Sequence, residues 1–428
     1  MKEREEEKSM MSEQEVPSIL TKHKIFPGDR VLGIIVILFF AISMIVVYSA
    51  SSKLGFQESG SMNRQLSKHI LTLCLSGGIV LAFYFMSASF MRRFTRIGYI
   101  IALILTIIPY FQPEINNAHR WINLGFVMFQ PSELLKITTV MLLASRLSSL
   151  NHIINKVHLL PTTFNPRKWG NEQERNIILN EMLPLVTPIA LTCMVILPDA
   201  TSSAIHIFLI SITMLIIGGI RWKEVGKFIL VSLIAGMIVF VIFGRVKTVV
   251  SRLKKKFRTE NVAENPKRIP KLDDFTDSQR SQMAILNGGL FGVGAGRSVM
   301  RARLTHPESD YLFAIMCEEF GLILSFFIIL LYLWLFFRAL RIFEKSEWLY
   351  AGILAVGLAL LITSQAFLHV GVAIGFLPET GQNLPFLTQG RTGMFCASIA
   401  VGIILSISRQ AEQGTLLPPS MQNRNRHI

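Results

Sequence analysis

Residues 305–337 read THPESDYLFAIMCEEFGLILSFFIILLYLWLFF. The part from 322 onward carries no charge, and with its approach from Leu312 it is long enough to cross a bilayer as a helix, which takes about 20 apolar residues. Four carboxylates, Glu308, Asp310, Glu318 and Glu319, lie at its mouth and inside its first turns. An acid at membrane depth is costly and marks either a function or a buried partner. This stretch therefore sets both questions: how the chain crosses a membrane, and which acid does chemistry there.

The rest of the chain repeats the apolar pattern. It has 428 residues, is 51% hydrophobic and only 17% charged, against about 25% charged in soluble domains. Apolar runs near 31–50, 69–88, 97–112, 132–148, 183–198, 202–220, 228–243, 312–337, 350–375 and 392–408 predict an all-α polytopic integral membrane protein of about ten spans. A β-barrel would instead show short alternating strands. An even number of spans puts both termini on one side. The connections on that side carry Arg92, Arg93 and Arg96, then Arg167, Lys168 and Arg175, then Arg221, Lys223 and Lys227, then Arg338, Arg341 and Lys345. This basic excess places both termini in the cytoplasm.

The charged opening MKEREEEKSMMSEQEV does not read as a cleavable signal peptide, so the first apolar run is expected to be an uncleaved anchor. Residues 1–28 and 409–428 read as disordered cytoplasmic tails around a membrane domain at 29–408. The segment 244–311, with KKKFR and PKRIPK, falls between spans 7 and 8 and is expected outside, because long loops are largely exempt from the charge rule. It reads as a solvated loop touching anionic headgroups, as a surface that attracts a phosphate-bearing substrate, or as both. The net charge of +15 fits lipid headgroups better than nucleic acid. The four cysteines, Cys74, Cys193, Cys317 and Cys396, sit in apolar runs without CxxC spacing and read as small core residues, and no metal-ligand motif appears.

Four constellations stand out on the external side. In the opening stretch, Ser309 is expected to cap the helix, with Asp310 ionised in its first turn. Asp310 reads either as a helix-start acid or as a general base that takes a proton from a hydroxyl. Glu318 and Glu319 lie eight and nine residues further, roughly 12 Å along a helix and about 80° around from Asp310 for Glu318. A glycosidase pair needs roughly 5–9.5 Å, so the deeper acids are expected to pair with a base elsewhere or to line a cavity. Glu308 is expected to be solvated.

In RWINLGFVMFQPSELLK, Pro131 and Ser132 start a helix and Glu133 reaches Lys136 three residues on. Arg120 beside Trp121 is either a phosphate-binding cation or a lipid anchor. Asp199 in LPDAT is a turn former or a site acid. NGGLFGVGAGRS at 287–298, with Gly288 and Gly289, lacks the phosphate-loop spacings and reads as a flexible turn that lets backbone approach closely.

Together VYSASS (47–52), HRWINLGFVMFQPSELLK (119–136), PDATSSA (198–204), the 287–298 glycines, HPESDYLFAIMCEEFGL (306–322) and QAFLHVGVAIGFLPETGQNLPF (365–386) resemble the shape, elongation, division and sporulation (SEDS) family. The long loop and the SDYLFA form resemble its division branch, with the elongation branch second.

The resemblance implies a peptidoglycan glycosyltransferase of septal wall synthesis in the bacterial inner membrane. It would polymerise lipid II in complex with a class B penicillin-binding protein (a transpeptidase) and other division membrane proteins. It implies Asp310 as the catalytic base of an inverting displacement of undecaprenyl pyrophosphate. Arg120, Glu133, Lys136 and Asp199 would be substrate-binding, and Glu318, Glu319, Gly288 and Gly289 cavity-lining or structural. No built-in cofactor is implied, only a candidate Mg or Mn ion on the substrate pyrophosphate. Thr201 and Arg391 stand where the family has glycine, and His369 where it has asparagine. The competing readings are a lipid II flippase and a non-catalytic scaffold that recruits the transpeptidase.

Overall fold

The computed structural model describes residues 27–52, 61–113, 119–123, 128–161, 172–242, 275–388 and 390–416. Each of the ten expected apolar runs falls on a helix. These are α1 (Arg30–Ser52), α2 (Ser61–Phe85), α3 (Ala88–Ile107), α4 (Pro131–Ser149), α5 (Leu183–Ile196), α6 (Thr201–Ile217), α7 (Trp222–Ile242), then, after α8 (Asp277–Gly288) in the long connection, α9 (Leu312–Lys345), α10 (Leu349–Ala373) and α11 (Arg391–Glu412). Among the described residues, seven helical segments are long and apolar enough to cross a membrane by that measure alone, and α6 is a shorter apolar helix. The protein is a polytopic helical membrane protein, as expected.

Burial orders the bundle. In α10 78% of the apolar window is buried, against 22% in α2. A helix apolar all round belongs in the middle of a bundle, and α10 packs against α4, α6, α9 and α11. Outer helices expose large side chains such as Ile37, Leu71, Leu233 and Phe326, the surface a lipid solvent accepts without cost.

Several boundaries differ from expectation, and four of the differences bear on the site or the ends of the chain. The first apolar run of the pair around 183–198 begins earlier, with a helical turn at Glu172–Asn176 and a π-helical turn at Ile177–Met182 running into α5. The α11 helix continues to Glu412, past the expected tail boundary at 409, because Ser408 and Glu412 are tied to the start of α1: Asp29 N–H donates to Ser408 Oγ at 2.9 Å and Gly28 N–H to Glu412. Asp29 also caps α1 and pairs with Arg338 of α9 at 2.6 Å. Both described ends of the chain therefore meet on one face. The α9 helix starts at Leu312, not at Asp310. The α8 helix gives the long connection an ordered second half that packs on α9 and α10, opened by a Thr276–Gln279 capping box. KKKFR, PKRIPK and the two tail ends lie outside the described residues.

Candidate active site at the mouth of the bundle

The face opposite the two chain ends gathers the start of α9, the α5–α6 turn, the segment before α4 and the loop after α10. Asp310 is set by a turn, which corrects the expected cap. Ser309 and Asp310 both donate their backbone N–H to His306 O, at 3.2 and 3.0 Å, and His306 takes a positive φ of 57°. The helix N-cap is Tyr311, and no side chain of the preceding turn caps it. Ser309 Oγ instead donates to Asp310 Oδ1 at 3.0 Å. The capping role passes to another helix: Phe313 N–H donates to His369 Nε2 at 3.3 Å, while His369 Nδ1–H donates to Gln382 O at 2.8 Å. A backbone N–H only donates and a carbonyl only accepts, so these two bonds fix a neutral imidazole protonated at Nδ1. An Asn side chain, which the resemblance implied at this position, offers the same donor and acceptor pair.

Asp310 is half-buried. Burial pushes its carboxyl up from the usual carboxylate range, with the Ser309 hydroxyl, His306 and Arg120 acting against that and Glu379 acting with it. A carboxylate raised in this way is a better proton acceptor than a solvated one once ionised.

Arg120 and Asp199 line one cavity with His119, Tyr110, Pro131 and Ser132. Arg120 precedes a two-residue antiparallel pair, Ile122 opposite Phe129 and Asn123 opposite Met128. Thr392 of α11 anchors that pair: its hydroxyl donates to Met128 O at 3.1 Å and accepts from Gln130 N–H at 3.2 Å. The Nε of Arg120 is buried and makes no hydrogen bond among the described residues. Asp199 sits in the turn between α5 and α6. Thr201 opens α6, and Ser202 and Ser203 just after it hold the loop after α10, through Thr380 O at 2.6 Å and Gln382 Nε2 at 2.8 Å.

Glu133 and Lys136 pair at 2.8 Å, as their spacing predicts. Both are buried, and Lys136 Nζ also reaches Gln365 Oε1 of α10 at 3.5 Å. Gln365 Nε2 in turn donates to Asn383 O at 3.1 Å. Lys136 is thus committed to protein partners and meets a substrate only by leaving them. The loop 376–388 is the hub that sequence reasoning missed at residue level, although the QNLPF motif lay in it. Its backbone and side chains meet α4's partner Gln365, His369, α6 and Tyr311.

Glu318 and Glu319 stand apart from Asp310, as expected, and their partners are now visible. Glu318 accepts from Asn287 Nδ2 at 2.9 Å, Val299 N–H at 3.0 Å, Met300 N–H and Ser298 Oγ. Glu319 pairs with Arg301 at 3.0 Å and accepts from Ser49 Oγ of the VYSASS stretch. Arg301 also donates to Ser49 O at 3.0 Å. Burial pulls the Arg301 guanidinium down and Glu319 holds it up.

The glycine loop is docked, which corrects the flexible reading. Val293 and Gly294 N–H donate to Glu318 O and Glu319 O at 2.9 and 3.0 Å, and Leu322 and Ile323 N–H donate back to Gly289 O and Leu290 O at 3.0 and 3.3 Å. The expected close approach is present. A side chain on buried Gly288 would put its Cβ 1.9 Å from Cys317 O, and Gly321, with φ 82°, breaks α9 where the loop docks. Gly289 is exposed.

Among the described residues, no three His, Cys, Asp or Glu side chains converge on a metal-binding group. The fold and this site define a polytopic helical membrane protein that brings Asp310, Arg120, Asp199 and Glu379 to one mouth of the bundle. Residues 29–413 match the family model FTSW_RODA_SPOVE, described as cell cycle protein. The chain belongs to that SEDS family. It is 30% identical over 400 residues to "Stage V sporulation protein E" of Bacillus subtilis, covering 91% of this chain and 99% of that one. It is also 30% identical over 412 residues to "Probable peptidoglycan glycosyltransferase FtsW" of Neisseria gonorrhoeae, covering 89% and 84%.

Two solved structures share the fold. One is described as "Structural coordination of polymerization and crosslinking by a peptidoglycan synthase complex" (TM-score 0.61, 20% identity, 90% of this chain and 98% of that one). The other is the Thermus thermophilus rod shape determining protein RodA (TM-score 0.55, 19% identity, 90% and 97%).

Proposed function

We propose that this chain is a peptidoglycan glycosyltransferase of the division type, polymerising lipid II into β-1,4 glycan strands at the outer face of the cytoplasmic membrane. The observation that carries the reading is Asp310, a half-buried carboxylate at the mouth of the bundle, raised by burial and within the field of Arg120. The names of several relatives, "Probable peptidoglycan glycosyltransferase FtsW", support it. In this reading Asp310 takes the proton of the acceptor sugar's 4-hydroxyl. That oxygen attacks the anomeric carbon of the donor from the face opposite the leaving group, and the bond from that carbon to the pyrophosphate oxygen breaks. One displacement turns an α donor into a β product.

Undecaprenyl pyrophosphate leaves as an anion and needs a cation in place of a second carboxylic acid. Arg120 is the candidate in the cavity it shares with Asp199, and a Mg or Mn ion would arrive with the substrate. Glu133 and Gln365 line a second cavity beside α11, and Lys136 joins the two side chains. A class B penicillin-binding protein and other division membrane proteins are the proposed partners, at the septum, with both termini cytoplasmic.

The test is lipid II polymerisation by the full chain purified from native membranes with its bound partners. Glycan strands on a gel are the expected result. Lipid II moving across liposomes without polymer would make the chain a flippase, and growth of cells that carry only an Asp310→Asn copy would make it a scaffold.

A further inference from the structure

The loop after α10 brings a second acid within electrostatic reach of Asp310. Tyr311, the next residue, is buried to 2% exposure, and its hydroxyl donates to Glu379 Oε1 at 3.0 Å. Glu379 itself is exposed, so the tyrosine is a tether that reaches from under Asp310 to the rim. The loop that carries Glu379 is held on both flanks. Thr380 O accepts from Ser202 Oγ, and Gln382 is fixed by Ser203 and His369. Among the described residues, the following charged and titratable groups act on the pair. His306 lies on Asp310's own turn, Arg120 on the segment before α4, and Glu379 on the loop after α10. On α8, Asp277 acts on Tyr311 and is itself paired with Arg280 at 3.2 Å.

We propose that Glu379 is a positioning residue for the base: its carboxylate, tethered by the Tyr311 hydroxyl, holds negative charge beside Asp310 and makes Asp310 take the acceptor proton more readily. A like charge nearby disfavours a second ionised carboxylate and so strengthens it as a base. The effect on Asp310 is of the same sign as that of its burial. Glu379 touches no reacting atom. The inference rests on the glycosyltransferase reading for its chemistry, while its electrostatic half can be measured without turnover.

The experiment has two arms on the full chain in nanodiscs. The first is carbodiimide labelling of Asp310 against pH, read by peptide mass mapping, since the reagent modifies the protonated carboxyl. Glu379→Gln should move the labelling midpoint to lower pH by about 0.1–0.7 pH units, the range of an exposed charge pair. The shift should shrink in about 1 M salt, where screening acts within about 3 Å. Glu379→Asp should keep the midpoint near that of the native chain, and Tyr311→Phe should move it in the same direction as Gln. The second arm is the acid limb of kcat for lipid II polymerisation, which should move with the labelling midpoint and reach a lower plateau. A fall in the plateau with both midpoints unmoved means a merely structural role and overturns the inference alone. Full polymerisation by Asp310→Asn overturns the inference and the reading together.

Discussion

Arg301 and Glu319 meet as a buried ion pair at 3.0 Å, joining the turn that follows the glycine loop to α9 just before its break at Gly321. Ser49 of α1 completes the contact, accepting from Gly296 N–H at 2.7 Å and donating to Glu319. One buried charge is tolerable here because the other is present. Removing one partner of such a pair costs roughly 3–5 kcal/mol, because it strands the other. Arg301→Ala should therefore lower the melting temperature of the purified protein sharply. Arg301→Met combined with Glu319→Leu should recover most of the loss. Equal melting of Arg301→Ala and the native chain would contradict the account of this contact.

The docking of the loop leaves no room at Gly288, where an added Cβ would sit 1.9 Å from the Cys317 carbonyl. Gly288→Ala must push the loop off α9 or bend the helix, and overpacking of this kind costs about 1–3 kcal/mol. Gly33 in α1 has nothing within 4 Å of the added carbon, so Gly33→Ala should be neutral or stabilising by about 0.5–1 kcal/mol. Denaturant melts of the two variants side by side check the contrast.

The Glu133–Lys136 pair separates structure from chemistry. Lys136→Met leaves Glu133 buried without its cation and should cost about 3–5 kcal/mol. Adding Glu133→Gln removes the stranded charge and should restore most of the stability. If the pair also orients substrate, polymerisation stays low in the stable double variant. Native turnover in that variant would limit the pair to a structural role.

Asp310 should also show in the pH dependence of stability. Its carboxyl is raised in the folded protein, so between its unfolded and folded pKa values the native state binds more protons than the unfolded one. Stability from this group is then fully present at low pH and lost as pH rises through the folded value. Asp310→Asn removes that loss. Its melting temperature relative to the native chain should increase from acidic to neutral pH, measured by thermal scans at matched ionic strength.

Much of this was legible in the sequence, for physical reasons that differ by residue. The spans were legible because lipid demands long apolar helices, and Glu133–Lys136 because a helix puts residues three apart on one face. The rise per residue of one continuous helix was the ground for separating Asp310 from Glu318 and Glu319. The helix, however, starts only at Leu312, and it is their different hydrogen-bond partners that set them apart. The turn at HPESD was not legible, since a serine before an apolar run fits a cap as well as a turn, and only His306 O and the imidazole of His369 decide between them. Arg301, Ser49, Gln365, Gln382, Tyr311 and Glu379 were missed because their contacts join distant segments. No local period reports such pairings.

The most direct test of the central claim is glycan polymerisation by Asp310→Asn, purified from native membranes beside the native chain and with the same bound partners. The side chain keeps its size and loses its basicity, and a lost general base typically costs about 10²–10⁴-fold in rate. The account predicts a folded, partner-bound protein whose polymer falls by at least that lower bound. Native levels of glycan strand from the Asn variant would contradict it.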